Sequence, residues 1–299
     1  MTEQRSLIRF TRTAESAANQ VIRAYSTSFG LACRLLGSRH RQHIRNIYAL
    51  VRIADEVVDG LTAEAGLTLE QQTQTLDNFV AQTQRALRLG CSSDLVIHAF
   101  ARTAQACGID SAILAPFFDS MRTDLDNQVT RETQLTRFDS QAHAQYVYGS
   151  AEVVGLMCLR VFLRGQQPTE RETAQLEHGA KQLGAAFQNI NFLRDLADDT
   201  ARLGRSYLGT SDRLDDYDRN EWIRTIRAQL DSAEAVIVLL PHDTRAAIRS
   251  AHALFTALTN RIDKMPTEAL YVRRVRVPNP VKAGLAIRAL VTTLLEPRK

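Results

Sequence analysis

Apolar residues return every third or fourth position through nearly all of this 299-residue chain, as at Ile44, Ile47, Tyr48 and Val51, and again at Leu76, Phe79, Val80 and Leu87. No stretch alternates strictly with period two. A 3.6-residue repeat can bury one face only as a helix, so the pattern predicts an all-α fold. Turn formers are scarce to match: 14 glycines and 7 prolines make up about 7% of the chain, against roughly 12% in average usage. Breaks are expected near 37–40, 60–66, 90–93, 107–110, 131–136, 165–169, 204–218, 241–243 and 278–280, leaving nine or ten helices. None of these breaks is long or polar enough to act as a linker, and no repeat occurs, so residues 1–299 are read as a single domain.

Several classes are disfavoured at once. The longest apolar runs, 153–159 and 235–240, fall far short of the ~20 residues a membrane-spanning helix needs, and the N-terminus carries no apolar signal core. A soluble, cytoplasmic chain is expected. Cys33, Cys91, Cys107 and Cys158 show neither paired nor zinc-type spacing and read as reduced, mostly buried thiols. His40 and His43 lack an acidic or thiol partner at metal spacing and are expected in a solvated loop. No glycine-rich dinucleotide or P-loop motif occurs. The net charge is only +4, yet residues 261–299 hold nine basic side chains against three acidic, a net of +6. Such an end seeks an anion: a phosphate, a lipid head group or a nucleic acid.

Two acidic stripes carry the chemistry. In the segment from Tyr48 to Gly60, Asp55 and Asp59 are four apart, one turn of a helix and about 6 Å along its axis, with Arg52 and Tyr48 on the same stripe. Like charges at that spacing repel. Taken alone, the pair also suits a solvated helix end before Gly60. A second segment repeats the device: Asn191, Asp195 and Asp199 step by four, with Gln188 three before Asn191, while Phe187, Ile190, Phe192 and Leu196 make the other faces apolar. Two helices that each offer carboxylates in this way can face one another across a cavity and share hard divalent cations with a phosphate ligand. Magnesium diphosphate is the guest this pattern suggests.

These motifs, Asp55-Glu-Val-Val-Asp59 and Asn191-Phe-Leu-Arg-Asp195-Leu-Ala-Asp-Asp199, stand with Tyr25-Ser-Thr-Ser28-Phe29-Gly30 upstream and the stretch from Tyr146 to Gly155 between them. Together they resemble the squalene/phytoene synthase family from about Tyr25 to Lys282, and within it most resemble the bacterial phytoene synthases. The resemblance implies an all-α isoprenoid-synthase fold around a central cavity. It further implies a prenyltransferase that condenses two geranylgeranyl diphosphates head to head, through a cyclopropylcarbinyl diphosphate (prephytoene diphosphate), to phytoene, the first step of carotenoid biosynthesis. Two farnesyl diphosphates giving dehydrosqualene or squalene are the alternative.

Carried over position by position, the resemblance makes Asp55, Asp59, Asn191, Asp195 and Asp199 ligands of Mg²⁺ and diphosphate, with Mn²⁺ able to substitute. Gln188 lines the same face. Tyr48, Arg52 and Arg274 match diphosphate-holding positions, Ser28 and Phe29 lie beside the substrate head, and Tyr146, Ala151 and Gly155 match the wall around the reacting carbons. Asp124 matches a recurring family aspartate, an alternative to a capped or salt-bridged surface role. Glu56 stands where many relatives have aspartate, and Phe255 where a tyrosine is common.

The chemistry asks for these residue types independently. A departing diphosphate needs metal and arginine to neutralise its charge, and the carbocation left behind needs dry walls with π-faces. Phe29, Tyr146, Tyr148, Val153 and Met157 are candidates for those walls, with plain core packing as the alternative. Cys33, one turn beyond Phe29, is expected to meet the prenyl tail. Phytoene formation ends in proton loss and calls for no NADPH. An apolar product from a chain without a membrane span implies peripheral contact at the inner face of the cell membrane. No nucleic acid is expected, because residues 273–282 interleave no aromatic or recognition helix with their charge. A helical scaffold would explain the periodicity but not two aligned acidic stripes, and the sequence does not indicate an oligomeric state.

Overall fold

The computed structural model describes residues 2–129, 136–137, 140–198, 205–206 and 214–297. Among these the chain is all-α, apart from a two-residue parallel pairing of Thr136–Arg137 (β1) with Arg205–Ser206 (β2). In chain order the helices are α1 Thr2–Tyr25, α2 Thr27–Arg34, α3 Ser38–Asp59, α4 Leu61–Glu64, α5 Leu69–Leu89, α6 Leu95–Cys107 and α7 Ser111–Val129. Then come α8 Ser140–Val147, α9 Val153–Phe162, α10 Glu170–Asp198, α11 Asp216–Glu234, α12 His242–Asp263, α13 Thr267–Leu270 and α14 Asn279–Leu294.

Among the described residues fourteen helices stand against the nine or ten expected, because α1 and α2 are separate, α8 and α9 are divided at 148–152, and α4 and α13 are four-residue helices that the apolar repeat does not mark. Ser26 divides α1 from α2: its hydroxyl accepts the Phe29 N–H at 3.1 Å, a side-chain cap that starts a new helix one residue after the old one ends. The breaks read near 60–66 and 90–93 bound α5. Thr68 and Gln71 form a reciprocal capping box at the start of α5, and Gly90 ends it in the left-handed conformation.

A π-helical turn, Tyr148–Glu152, joins α8 to α9. Such a turn inserts one residue into the helical register. The wall it leads into packs closely on α10. A Cβ on Gly155 would lie 2.4 Å from the Ala180 carbonyl oxygen, and one on Gly184 would lie 2.6 Å from that of Ala151. Two backbones meet there at a distance that only glycine permits.

One apolar core packs α3, α5, α6, α7 and α9 around Leu50, Phe100, Phe117, Phe118 and Met157, and a second joins α10, α11 and α12 through Ile190, Leu193, Ile226 and Ile262. His40 and His43 are not in a solvated loop. Both lie on α3, where the helix begins at Ser38. His40 is fully buried, with Nδ1 3.1 Å from the Val161 carbonyl oxygen, and His43 Nδ1 lies 3.0 Å from the Thr103 hydroxyl. Each ring has one polar contact through Nδ1, while His40 Nε2 is buried without a hydrogen bond among the described residues and lies 3.4 Å from Asp243 Oδ1. Of the thiols, Cys33 and Cys107 are buried, Cys158 is half-buried and Cys91 is exposed.

Candidate active site

Between the two cores runs a cavity of ≈ 1090 Å³, walled by α2, α3, the α8–α9 segment, α10, α12 and the stretch 274–279. That is slightly above the ~300–1,000 Å³ range of small-ligand sites. The first stripe enters from α3 as Tyr48, Arg52, Asp55 and Asp59, and the second from α10 as Gln188, Asn191 and Asp195. Ser28 and Phe29 enter from α2, Tyr146, Ala151 and Gly155 from the α8–α9 wall, and Arg274 from the segment after α13. Asp199 lies outside the described residues.

The acidic residues are therefore not a solvated helix end. Burial pushes the Asp55 carboxyl well above the usual carboxylate range, and the Asp59 charge one turn away adds to it, against the lowering effect of Arg52. Arg52 pairs with Glu56, its guanidinium lies 4.6 Å from the centroid of the Tyr25 ring, and its Nε is buried with no hydrogen-bond partner among the described residues. Asp195 accepts from Arg194, at 2.9 Å from Nε and 2.5 Å from the second nitrogen, and pairs with Arg274 at 2.6 Å. Asn191 Oδ1 is buried without a hydrogen-bond partner among the described residues. Lys282 Nζ, 3.5 Å from the Thr27 hydroxyl, adds a cation that sequence reasoning did not single out.

Behind this polar end the lining is apolar and aromatic. Phe187 and Phe255 stack with centroids 3.7 Å apart and planes at 15°, and Phe29 stands 6.1 Å from each and 6.2 Å from Tyr48. The Phe187 partnership was not legible: Phe187 precedes Gln188 on α10, but Phe255 is 68 residues away. Asp124, only 2% exposed, faces the cavity and accepts the Tyr146 hydroxyl at 2.7 Å. Cys33 from α2 and Cys158 from α9 line the bore deeper in.

Three expected wall residues are not there. Tyr148, Val153 and Met157 are absent from the lining: Val153 and Met157 sit wholly in the core, and Tyr148 faces out beneath Lys181 at 5.7 Å. Counting by 3.6 from Tyr146 does lead to Val153 and Met157, but the π turn adds a residue. The face presented to the cavity becomes Tyr146, Ser150, Ala151, Val154, Gly155 and Cys158.

The family described as squalene/phytoene synthase matches residues 22–280. Phytoene synthase 3, chloroplastic, of Zea mays is 28% identical over 96% of this chain and 67% of its own length. The phytoene synthase of Mycobacterium tuberculosis is 27% identical over 92% of this chain and 89% of its own. A crystal structure of a dehydrosqualene synthase superposes with a TM-score of 0.74 at 21% identity, covering 96% of this chain and 98% of that one.

The family match and the phytoene synthase relatives thus define a prenyltransferase, and the superposition gives it the all-α isoprenoid-synthase architecture. The chain belongs to the squalene/phytoene synthase family.

Proposed function

We propose that this enzyme condenses two geranylgeranyl diphosphates head to head to phytoene, with Mg²⁺ as its metal. One observation carries the reading: a single long cavity has cations and carboxylates from both stripes at one end and an apolar, partly aromatic bore behind them. That polarity matches a substrate with an anionic head and a hydrocarbon tail. The names of the plant and bacterial relatives favour the twenty-carbon chain.

The donor set fits magnesium. It is made of oxygens, and Asn191 Oδ1 is a buried acceptor in want of a partner. Among the described residues no three His, Cys, Asp or Glu side chains gather closely enough to hold a metal by themselves. Mg²⁺ is commonly bound through one or two carboxylates together with substrate phosphates. Asp55, Asp59, Asn191 and Asp195 would hold it, with Asp199 by family position. When bound, the metal neutralises the charge that builds on departing diphosphate.

The chain's own residues do the rest. Arg52, Arg274 and Lys282 orient the diphosphate oxygens. Loss of diphosphate from the first substrate leaves an allylic cation, which bonds to the double bond of the second; proton loss closes a cyclopropane ring. Loss of the second diphosphate, ring rearrangement and a further proton loss give the hydrocarbon, so electrons balance without a hydride donor. Phe29, Phe187 and Phe255 exclude water and offer π-faces to the cations. The Tyr146–Asp124 hydrogen bond places a proton acceptor at the wall.

The test is direct. Purified protein is supplied with labelled farnesyl and geranylgeranyl diphosphates in competition, with Mg²⁺ and no NADPH, and the hexane extract is chromatographed. Phytoene should predominate, EDTA should abolish it, and Mg²⁺ or Mn²⁺ should restore it. A thirty-carbon product, or turnover that survives EDTA, overturns the reading.

A further inference from the structure

Helix α14 is turned the opposite way from a water-facing helix. Its inward stripe, packed on α12, is small: Ala286, Ala289 and Thr293 are the buried positions. Its bulky aliphatics point outward. Ile287, Leu290, Val291 and Leu294 fall at i, i+3, i+4 and i+7, one continuous stripe, and Ile287 is 62% exposed, Val291 49% and Leu294 61%. Leu295 extends the stripe at 81%. Apolar surface gathered in this way marks a contact surface.

The charge around it selects the partner. Residues 279–294 include no acidic residue, and Arg288 stands exposed beside the stripe, while Lys282 belongs to the cavity lining. The next acid, Glu296, is paired with both Arg245 and Arg249. An isologous contact between two copies would bring this positive surface against itself with no carboxylate to offset it. An anionic lipid surface supplies both an apolar layer for the stripe and negative charge for its border.

We infer that the outer face of α14 docks on an anionic lipid membrane. The helix also ties that surface to the cavity, because Pro278, Asn279 and Lys282 at its start belong to the cavity lining. Docking therefore sets one rim of the cavity at the lipid interface. The surface argument stands whichever prenyl chain the enzyme takes. It also relocates the expected membrane contact from the basic segment as a whole to one helix face, since Arg274 in that segment is engaged with Asp195.

Flotation of the full chain with phosphatidylglycerol–phosphatidylcholine vesicles, and with phosphatidylcholine alone, tests this. Wild type should float with the anionic vesicles, and Ile287→Asp/Leu294→Asp should lower the partition coefficient at least about tenfold with an unchanged melting temperature. Arg288→Gln, which leaves the apolar stripe whole, should lower it about fivefold on anionic vesicles and little on neutral ones. Should the double variant fold poorly, Arg288→Gln and the comparison of lipids decide. Equal binding by wild type and variants, or no binding by wild type, overturns the proposal. So does a concentration-dependent dimer that the double variant abolishes, which would mean a second copy covers the face.

Discussion

Arg274 reaches across 79 residues of sequence to Asp195, Nε to Oδ1 at 2.6 Å, while Arg194 grips the same carboxylate. Two guanidiniums share one carboxylate, so one of them can leave it without stranding the charge of Asp195. Arg274 is the more exposed of the two and is positioned to move from Asp195 to an arriving diphosphate. Arg274→Gln should therefore raise KM for the prenyl diphosphate at least about tenfold, as the loss of a charge-assisted contact of roughly 1.5–3 kcal/mol requires, and change kcat less. A kcat loss at constant KM would argue against this role.

Asp55 is held where ionisation is costly. Because its folded pKa is raised, the folded state binds its proton more tightly than the unfolded chain, whose value is near 3.8. Stability is full below that value and is lost as pH rises through the folded pKa. Asp55→Asn removes the burden at neutral pH. Without metal it should melt at least about 2 °C above wild type, while turnover falls below about a tenth. A variant that is active, or less stable, contradicts the assignment of Asp55 to metal binding at the expense of stability.

Cys33 is buried and lines the bore beyond Phe29. A phenylalanine there would occupy depth that a twenty-carbon tail needs, and overfilling a packed site costs ~1–3 kcal/mol. Cys33→Phe should lower kcat/KM for geranylgeranyl diphosphate relative to farnesyl diphosphate by about tenfold or more. An unchanged ratio with a lower melting temperature would mean that the residue only packs.

Gly155 is matched to the wall by what it lacks. An added methyl group would meet the Ala180 carbonyl, which is backbone and cannot swing aside. Gly155→Ala should cost about 1–3 kcal/mol, lowering Tm by about 2–6 °C. Retention of wild-type stability would show that α9 and α10 can part freely.

His43 gives the fold an acid-sensitive point. Burial, with the Arg164 charge second, pulls its pKa down to about 4. A histidine with a depressed folded pKa contributes stability above its unfolded value of about 6.5, and loses it as pH falls towards 4. Water still reaches the ring, and screening holds the effect to on the order of 2 kcal/mol. Melting curves from pH 7 to 4 should fall less steeply for His43→Gln than for wild type. Parallel curves would remove His43 as the cause.

Helix class and the two acidic stripes were legible in the sequence because both are local. A 3.6-residue repeat and a four-residue spacing are decided within a turn or two of chain, and so α3 and α10 could be read with Asp55, Asp59, Asn191 and Asp195 each on one face. What the sequence alone could not supply were relations between distant segments. His40 looks solvated until α9 brings the Val161 carbonyl to it, and Phe255 looks like a lost hydroxyl until Phe187 stacks on its ring. The wall after Tyr146 shows the boundary most sharply. Its periodicity alone points Val153 and Met157 into the cavity, and only the folded chain, with one extra residue in the turn from Tyr148 to Glu152, hands that face to Val154, Gly155 and Cys158. A π turn costs helical hydrogen-bond geometry locally and is kept by packing against neighbouring helices, so the reason for it lies in the tertiary structure.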